Sequence, residues 1–151
     1  ARHYGYAGDM KDFPVEMAHS IYRQEFWDPS RGDELARISP SLAFEVFEAG
    51  VNCGPRTAVR WLQQAINACN IDRRTRDRLF IDLSVDGIIG PMTMKSLRIV
   101  SKVDEKLLYI LCNVLQGYHY ISLASQDHAQ RAFLRGWILQ RVNLNPENII
   151  T

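Results

Sequence analysis

The sequence has no hydrophobic run longer than the six residues Leu107–Cys112. A helix that crosses a membrane needs about 20 such residues, so we expect no membrane-spanning segment. Neither sign of charge is in excess, because 18 basic and 17 acidic residues give a formal net charge of +1. Proteins that bind nucleic acid usually carry a clearly basic surface, so this balance argues against nucleic acid as a partner.

Cysteine is scarce, and its spacing indicates neither a disulfide framework nor a metal site. Cys53, Cys69 and Cys112 are far apart and odd in number. Free cysteine is usually buried, so we expect three reduced thiols in the core. The sequence also has no phosphate-binding loop, no zinc-protease motif and no nucleophile elbow, and we expect no cofactor and no metal.

The composition is that of an ordinary globular domain, and its apolar residues follow a helical period. The 151 residues are 46% hydrophobic and 23% charged, which is typical of a folded domain. Apolar residues recur at spacings of three and four, and no stretch alternates long enough to predict a strand. We therefore predict an all-α domain with two long C-terminal helices. The predicted helices cover residues 14–26, 41–51, 56–69, 91–102, 104–124 and 126–142.

Local residue types predict where several of these helices begin and end. Asp12 and Pro14 are expected to open the first helix, and Ser39 is expected to cap the second. The polar stretch 30–39 is expected to be a loop. Gly54 followed by proline predicts the end of one helix and the start of the next.

Glu48 and Asn52 are the first candidates for a binding role. They lie four residues apart, so they share one face of a predicted helix, in a largely apolar neighbourhood. A carboxylate accepts hydrogen bonds from hydroxyls, and an amide both donates and accepts, which suits a sugar ligand. The alternative is that Asn52 only caps the end of its helix. The spacing alone leaves both interpretations open.

The segment Asp86–Pro91 is the most patterned part of the chain, because two glycines bracket two isoleucines. Gly87 and Gly90 are expected to occupy positions with positive φ or with no room for a side chain. Pro91 is expected to start a helix. The segment therefore predicts a tight turn in front of a helix.

A series of short motifs extends along almost the whole chain. They are Asp9-Met10, Phe13-Pro14, Phe26-Trp27-Asp28-Pro29, Leu42-Ala43-Phe44, the run from Val46 to Pro55, Trp61-Leu62-Gln63, the run from Val85 to Thr93, and Phe133–Trp137. Together these motifs resemble the glycoside hydrolase family 108 muramidases, which are bacterial and phage lysozyme-like proteins. The part after residue 70 resembles the peptidoglycan-binding C-terminal region of that family.

The resemblance implies a lysozyme-like helical fold and a peptidoglycan hydrolase that acts on glycan strands at the cell envelope. It implies a muramidase core over residues 1–70 and a peptidoglycan-binding region over 71–151, packed together as one unit. On this view Glu48 and Asn52 face the glycan, with Tyr4, Tyr6 or Trp27 as an aromatic wall. The peptidoglycan-binding motif is then formed by Asp86, Gly87, Gly90, Pro91 and Thr93.

One departure from the family pattern concerns the catalytic acid. In that family the catalytic glutamate lies in a Glu-Gly-Gly-Tyr segment, and the printed sequence contains no Glu-Gly-Gly. The resemblance places that segment before Ala1, so this chain is expected to be inactive on its own. The alternative hypotheses are a peptidoglycan-binding module without catalysis and an envelope scaffold for protein contacts.

Overall fold

The computed structural model describes residues 2–145, and these residues form an all-α fold without strands. The predicted fold class is thus confirmed. Within the described range, every helix is too short or too polar to span a bilayer. The α-helices are α1 (Val15–Tyr22), α2 (Gly32–Ala36), α3 (Pro40–Cys53), α4 (Pro55–Ala68), α5 (Pro91–Gln126) and α6 (Arg131–Arg141). Short 3₁₀ turns lie at Arg2–Tyr4, Met10–Asp12 and His128–Gln130.

The first helix begins one residue later than predicted and is not capped by Asp12. The N-cap of α1 is Pro14, which has no side-chain hydrogen bond to offer, and Asp12 ends the preceding 3₁₀ turn. At its other end α1 continues into a π-helical turn, Arg23–Trp27. No residue of α1 is fully buried, so this helix lies at the surface of the protein.

The predicted loop at 30–39 is wrong, because it contains α2. This five-residue helix has too few apolar positions to show a period, and tertiary contacts stabilise it instead. Leu35 points into the core and is 1% exposed. Arg31, in the left-handed conformation at φ +50°, forms an ion pair with Glu34 and donates to the carbonyl of Ile89 at 3.1 Å.

The predicted junctions around α3 are confirmed. The Ser39 hydroxyl accepts a hydrogen bond from the backbone N–H of Leu42 at 3.1 Å, as expected of an N-cap. Gly54 has a positive φ of +89° and is the one residue between α3 and α4. Pro55 then opens α4, so the two helices form a tightly connected pair.

The two helices predicted at 91–102 and 104–124 form one long element with a kink. At Asp104 the backbone leaves the helical region, with φ −161° and ψ 76°. The Asp104 carboxylate accepts from the backbone N–H of Leu107 at 3.0 Å, so it acts as the N-cap of the second half. The predicted boundary is therefore a change of direction within α5.

One hydrophobic core joins α2, α3, α4 and α5. Its largest fully buried apolar side chains include Leu35, Leu42, Leu62, Ile66, Leu97 and Leu108. α6 lies outside this core and packs on α5 through its aromatic face. The rings of Tyr120 and Trp137 stack at 5.1 Å, and those of Phe133 and Trp137 at 5.8 Å. The domain division at residue 70 stays a prediction.

Candidate functional site

Glu48 lies at the centre of a polar network that joins three helices. Its Oε1 accepts from Asn52 Nδ2 at 2.7 Å and from the Arg141 guanidinium at 2.6 Å. Its Oε2 accepts from Gln116 Nε2 at 2.9 Å. Asn52 also donates to the backbone carbonyl of Glu48 at 2.8 Å, while its side chain stays at the surface. The structure thus brings the predicted pair together, but both carboxylate oxygens already have protein partners.

Sequence reasoning did not place two members of this network, Gln116 and Arg141, beside Glu48. Gln116 is fully buried in α5, and Arg141 is the last residue of α6, 93 positions after Glu48. Only the packing of α3, α5 and α6 reveals that their side chains meet. The glycan contacts predicted for Glu48 and Asn52 stay predictions.

Trp27 lies in an aromatic groove between the N-terminal helix and α3. A cavity of about 270 Å³ is lined by His19, Tyr22, Arg23, Trp27 and Phe47. The Phe47 ring centre is 5.7 Å from that of Trp27 and 6.3 Å from that of Tyr22. Tyr22 is 46% exposed, so its ring is available to a ligand. Of the four substrate-binding residues predicted, Trp27 is the one that this groove contains.

Asp33 on α2 fixes the position of the groove's polar groups. One carboxylate oxygen accepts from Trp27 Nε1 at 2.9 Å, and the other accepts from the Arg23 guanidinium at 2.6 Å. These two hydrogen bonds hold the pKa of Asp33 below its ordinary value. The Trp27 ring packs directly on Gly32, where any Cβ would collide with the indole. These contacts hold Trp27 and Arg23 in place on one side of the groove.

Tyr6 and Tyr4 lie elsewhere. The Tyr6 hydroxyl donates to the backbone carbonyl of Asp9 at 2.7 Å, and its ring packs edge-on against Phe13 at 4.9 Å. The Tyr4 ring contacts His3 at 5.0 Å. Neither tyrosine lines the aromatic groove. Sequence reasoning also missed Phe47, whose role depends on how α3 crosses α1.

The predicted motif at 86–93 forms a loop that is tied to α4 by Gln63. The Gln63 side chain is 1% exposed, and its Nε2 donates to Asp86 Oδ1 at 2.8 Å and to the carbonyl of Ile88 at 3.1 Å. Its Oε1 accepts from the backbone N–H of Gly87 at 2.8 Å. The bonds from Gln63 and from the Ile88 N–H hold the pKa of Asp86 below its ordinary value. Asp86 and Gly87 thus build the loop.

The two motif glycines have different roles, which corrects one prediction. Gly87 has φ +78°, and a Cβ there would lie 2.7 Å from the carbonyl oxygen of Arg56. Gly90 has φ −91° and open space around it, so neither strain nor crowding requires glycine there. Pro91 opens α5, as predicted. Thr93 is buried beside Gln63.

This loop and the segment before it expose apolar side chains around a second cavity of about 370 Å³. Ile81 is 82% exposed, and Ile88 and Met92 are more than half exposed. Asp82, Asp86 and Pro91 also line the cavity. Exposed apolar groups that converge on a cavity are typical of a binding surface.

Glu45 is the described carboxyl whose pKa is raised most clearly. It is 3% exposed at the contact between α3 and α5, and its Oε1 has no hydrogen-bond partner. Burial raises its pKa to about 8, and the nearby negative charge of Glu48 acts in the same direction. A raised pKa is what a general acid needs, but this carboxyl is closed off from both cavities.

All three cysteines are free, as expected, but they are not equally buried. Cys69 and Cys112 lie in the core, whereas Cys53 is half-buried at the end of α3. The Cys53 thiol lies 3.9 Å from the Tyr120 hydroxyl, which covers one side of it. Among residues 2–145, no group of three or more His, Cys, Asp or Glu side chains could hold a metal ion.

Comparison with known families identifies the chain. Residues 57–142 match the family model of the predicted peptidoglycan domain. The chain belongs to that family. Residues 1–54 match glycosyl hydrolase 108, so the resemblance inferred from the sequence is confirmed for both halves. The chain thus combines a hydrolase family that acts on peptidoglycan with a peptidoglycan-binding region. The comparison with curated proteins gave no match.

Each of the two cavities described above is lined by residues of one family match. The aromatic groove is built from residues before 54, within the glycosyl hydrolase match. The motif loop and its cavity lie within the predicted peptidoglycan domain, together with Gln63. The Glu48–Arg141 ion pair connects one match to the other.

Proposed function

We propose that this protein is a muramidase of the cell wall and that its aromatic groove holds the glycan strand. The observation that carries the proposal is the aromatic groove of Tyr22, Trp27 and Phe47 inside the glycosyl hydrolase match. Sugars present C–H faces that pack on aromatic rings, and such contacts bury apolar area without needing a charged partner. His19 and Arg23 add donors at the edge of the groove for sugar hydroxyls.

Cleavage of the strand needs a carboxylic acid that can reach the glycosidic oxygen. Glu45 has the raised pKa but is enclosed, and Glu48 is held by Asn52, Gln116 and Arg141. We therefore assign glycan binding, and not proton donation, to the described residues. In this proposal the acid is supplied by a Glu-Gly-Gly-Tyr segment like that of the family, and the described residues hold the strand that this acid cleaves.

The motif loop is proposed to contact the wall through its apolar surface. Asp86, Gly87 and Thr93 support the loop, while Ile88 and Met92 present the exposed groups. Most residues of the motif therefore support the loop and would not contact the ligand themselves. Under this proposal, replacing Ile88 with serine weakens binding to purified cell walls while leaving the fold intact.

The second candidate is a binding module without catalysis, favoured by the enclosure of Glu45. The two candidates predict different activities for the protein after the family's Glu-Gly-Gly-Tyr segment is added to it. A fusion that supplies a Glu-Gly-Gly-Tyr segment upstream clears a suspension of purified cell walls if the muramidase proposal is right. A fusion that folds, binds walls and never clears them supports the module.

Calorimetric titration with chitooligosaccharide tests the groove itself. Tyr22→Ala removes an exposed ring worth about 0.5–1.5 kcal/mol, which corresponds to roughly a 2- to 12-fold loss of affinity. Tyr118→Ala is the matched control, because Tyr118 is 68% exposed on α5 and lies outside both cavities. Equal affinity of wild type and Tyr22→Ala, or no binding by the wild type, would contradict the groove assignment.

A further inference from the structure

The segment that leads into the motif loop is fixed to α4 by side-chain amides. Asn67 donates to the backbone carbonyl of Leu83 at 2.9 Å and accepts from the backbone N–H of the same residue at 2.8 Å. Asn70, just after α4, forms the same pair of hydrogen bonds with Phe80, at 2.7 and 3.1 Å. Both polar backbone groups of Phe80 and of Leu83 are therefore satisfied, and the segment is held at two points.

Ile81, Ser84 and Val85, which lie next to these two points, have unpaired backbones. They belong to no helix or strand and are exposed. Their N–H and C=O groups form no hydrogen bond within the part of the chain that the structure describes. Ile81 and Ser84 also line the second cavity. One wall of that cavity therefore offers backbone donors and acceptors to a ligand.

Most polar side chains of the second cavity already take part in the fold. Gln63 and Thr93 are buried. One carboxylate oxygen of Asp82 accepts from Asn70 Nδ2 at 2.8 Å, and one of Asp86 accepts from Gln63 Nε2 at 2.8 Å. The main groups left for a ligand are therefore exposed apolar side chains and the unpaired backbone.

The two carboxylates of this cavity also have positive charges beside them. Arg78 lies 3.9 Å from Asp82. The positive charge of Arg56 acts on Asp86, and its guanidinium donates to the Asp86 backbone carbonyl at 3.5 Å. Because both negative charges are opposed, charge does not decide which ligand this cavity takes.

The two cavities differ in their aromatic content. Tyr22, Trp27 and Phe47 line the aromatic groove, whereas none of the described residues around the second cavity is aromatic. Sugar rings bind well where their C–H faces pack on aromatic side chains. Peptides bind through main-chain hydrogen bonds, with small pockets for their side chains. The lining of the second cavity therefore suits a peptide better than a sugar.

We propose that the second cavity binds the wall peptide, which is the short peptide that peptidoglycan carries on its glycan strand. The match to the predicted peptidoglycan domain covers this cavity and supports the polymer, and the lining favours the peptide part of it. The main chain of the peptide pairs with the backbone of residues 81–85. Its side chains pack on Ile81, Ile88 and Met92, which are all more than half exposed. This inference rests on the proposed function, because it names the part of the wall that the motif loop contacts.

The first experiment follows the backbone amide signals of the protein by NMR during two titrations. One probe is the wall peptide without sugar, and the other is chitooligosaccharide, which has no peptide. We expect the wall peptide to shift the signals of Ile81, Ser84 and Val85 and to slow the exchange of their amide protons with solvent. Chitooligosaccharide should leave these three signals unchanged. If chitooligosaccharide shifts them and the wall peptide does not, the peptide is overturned as the ligand.

The second experiment compares Ile81→Ser with Ile121→Ser by calorimetric titration of the wall peptide. Ile121 is the matched control, because it is also more than half exposed but lies on α5, outside the lining of both cavities. Ile81→Ser should lower the affinity roughly tenfold, since it removes most of an apolar contact. Ile121→Ser should stay within about twofold of wild type. Circular dichroism melting checks that both variants fold.

Binding to purified cell walls separates failure of this inference from failure of the proposed function. Wild-type protein that binds walls but not the wall peptide overturns the inference and leaves the proposed function intact. Equal affinity of the two variants for the wall peptide, or peptide binding that leaves the three amide signals unchanged, overturns the cavity assignment. Wild-type protein that binds neither walls nor chitooligosaccharide refutes the proposed function, and this inference falls with it.

Discussion

Arg141 donates a hydrogen bond to Glu48 at 2.6 Å and so connects the end of α6 to the middle of α3. Arg141 keeps 38% of its side chain exposed and Glu48 keeps 20%. The contact therefore lies between the surface case, where ion pairs contribute little, and the buried case. It is also the described ion pair that joins the two family matches, since Glu48 precedes residue 54 and Arg141 follows residue 57.

Glu48→Ala is expected to destabilise the protein more than Arg141→Ala does. Loss of Glu48 leaves the fully buried Gln116 amide without its acceptor, which costs about 1–3 kcal/mol. A double-mutant cycle over Glu48 and Arg141 should give a coupling of about 1 kcal/mol that shrinks in 1 M salt. Urea denaturation measures both quantities. Arg135→Ala, on the same helix without an ion pair, serves as the control.

The motif glycines should respond differently to the same substitution. Gly87→Ala forces a left-handed residue with a Cβ and should cost about 1–2 kcal/mol or more, because that Cβ also meets the Arg56 carbonyl. Gly90→Ala should change stability by less than about 0.5 kcal/mol, since its backbone is extended and its surroundings are open. Chemical denaturation of both variants gives the comparison. Similar losses of stability at the two positions would contradict the left-handed conformation of Gly87.

Glu45 should make the protein less stable as pH rises. Its folded pKa of about 8 lies above the unfolded value of 4.5, so the folded state holds an extra proton between these values. The stabilisation is complete below pH 4.5 and is lost as pH rises to about 8, by up to about 1.4 kcal/mol per pH unit. Glu45→Gln should flatten this part of the stability profile.

The control for Glu45→Gln is Glu16→Gln, an exposed glutamate on α1. Its stability profile should follow that of the wild type from pH 5 to 8. If Glu45→Gln retained the wild-type slope, Glu45 would have to be ionised in the folded protein. Denaturant midpoints at half-unit pH steps resolve the two cases.

The cysteines should react in a fixed order. The denatured, unreduced protein should give three free thiols by a colorimetric thiol assay. In the folded protein Cys53 should react first, because it is only half-buried while Cys69 and Cys112 are buried. Burial raises the pKa of all three thiols, so exposure and not the pKa sets the order. Cys53→Ser should remove the fastest phase alone. A count of one thiol would reveal a disulfide instead.

The sequence predicted most helices because their signals are local. Ser39, Gly54 and Pro55 act on the residues next to them, and the structure places the helix ends where these residues predict. α2 was missed because Leu35 and Arg31 stabilise it through distant contacts and not through a period of its own. The kink at Asp104 was located correctly but predicted as a break between two helices.

A residue of the candidate site could be predicted from the sequence only where its own side chain indicates a role, without knowledge of its neighbours in the fold. Trp27 suggested an aromatic wall, and the structure adds Tyr22 and Phe47 from two different elements. Glu48 and Asn52 were paired correctly by their spacing, but the partners that occupy Glu48 come from positions 116 and 141. Gln63 was visible only as part of a resemblance, because its three loop contacts lie more than 20 residues away.

Arg31 connects the aromatic groove to the motif loop and so fixes their spacing. It stands beside Gly32, on which the Trp27 indole packs, and its guanidinium donates to the Ile89 carbonyl in the motif loop. Gly54, the single residue between α3 and α4, leaves no slack between the two matched regions. A polymer bound at both the groove and the loop would therefore be gripped at a fixed spacing, unlike a polymer held by a tethered anchor. Binding at both places would favour a polymer whose repeat length matches the spacing between the groove and the loop.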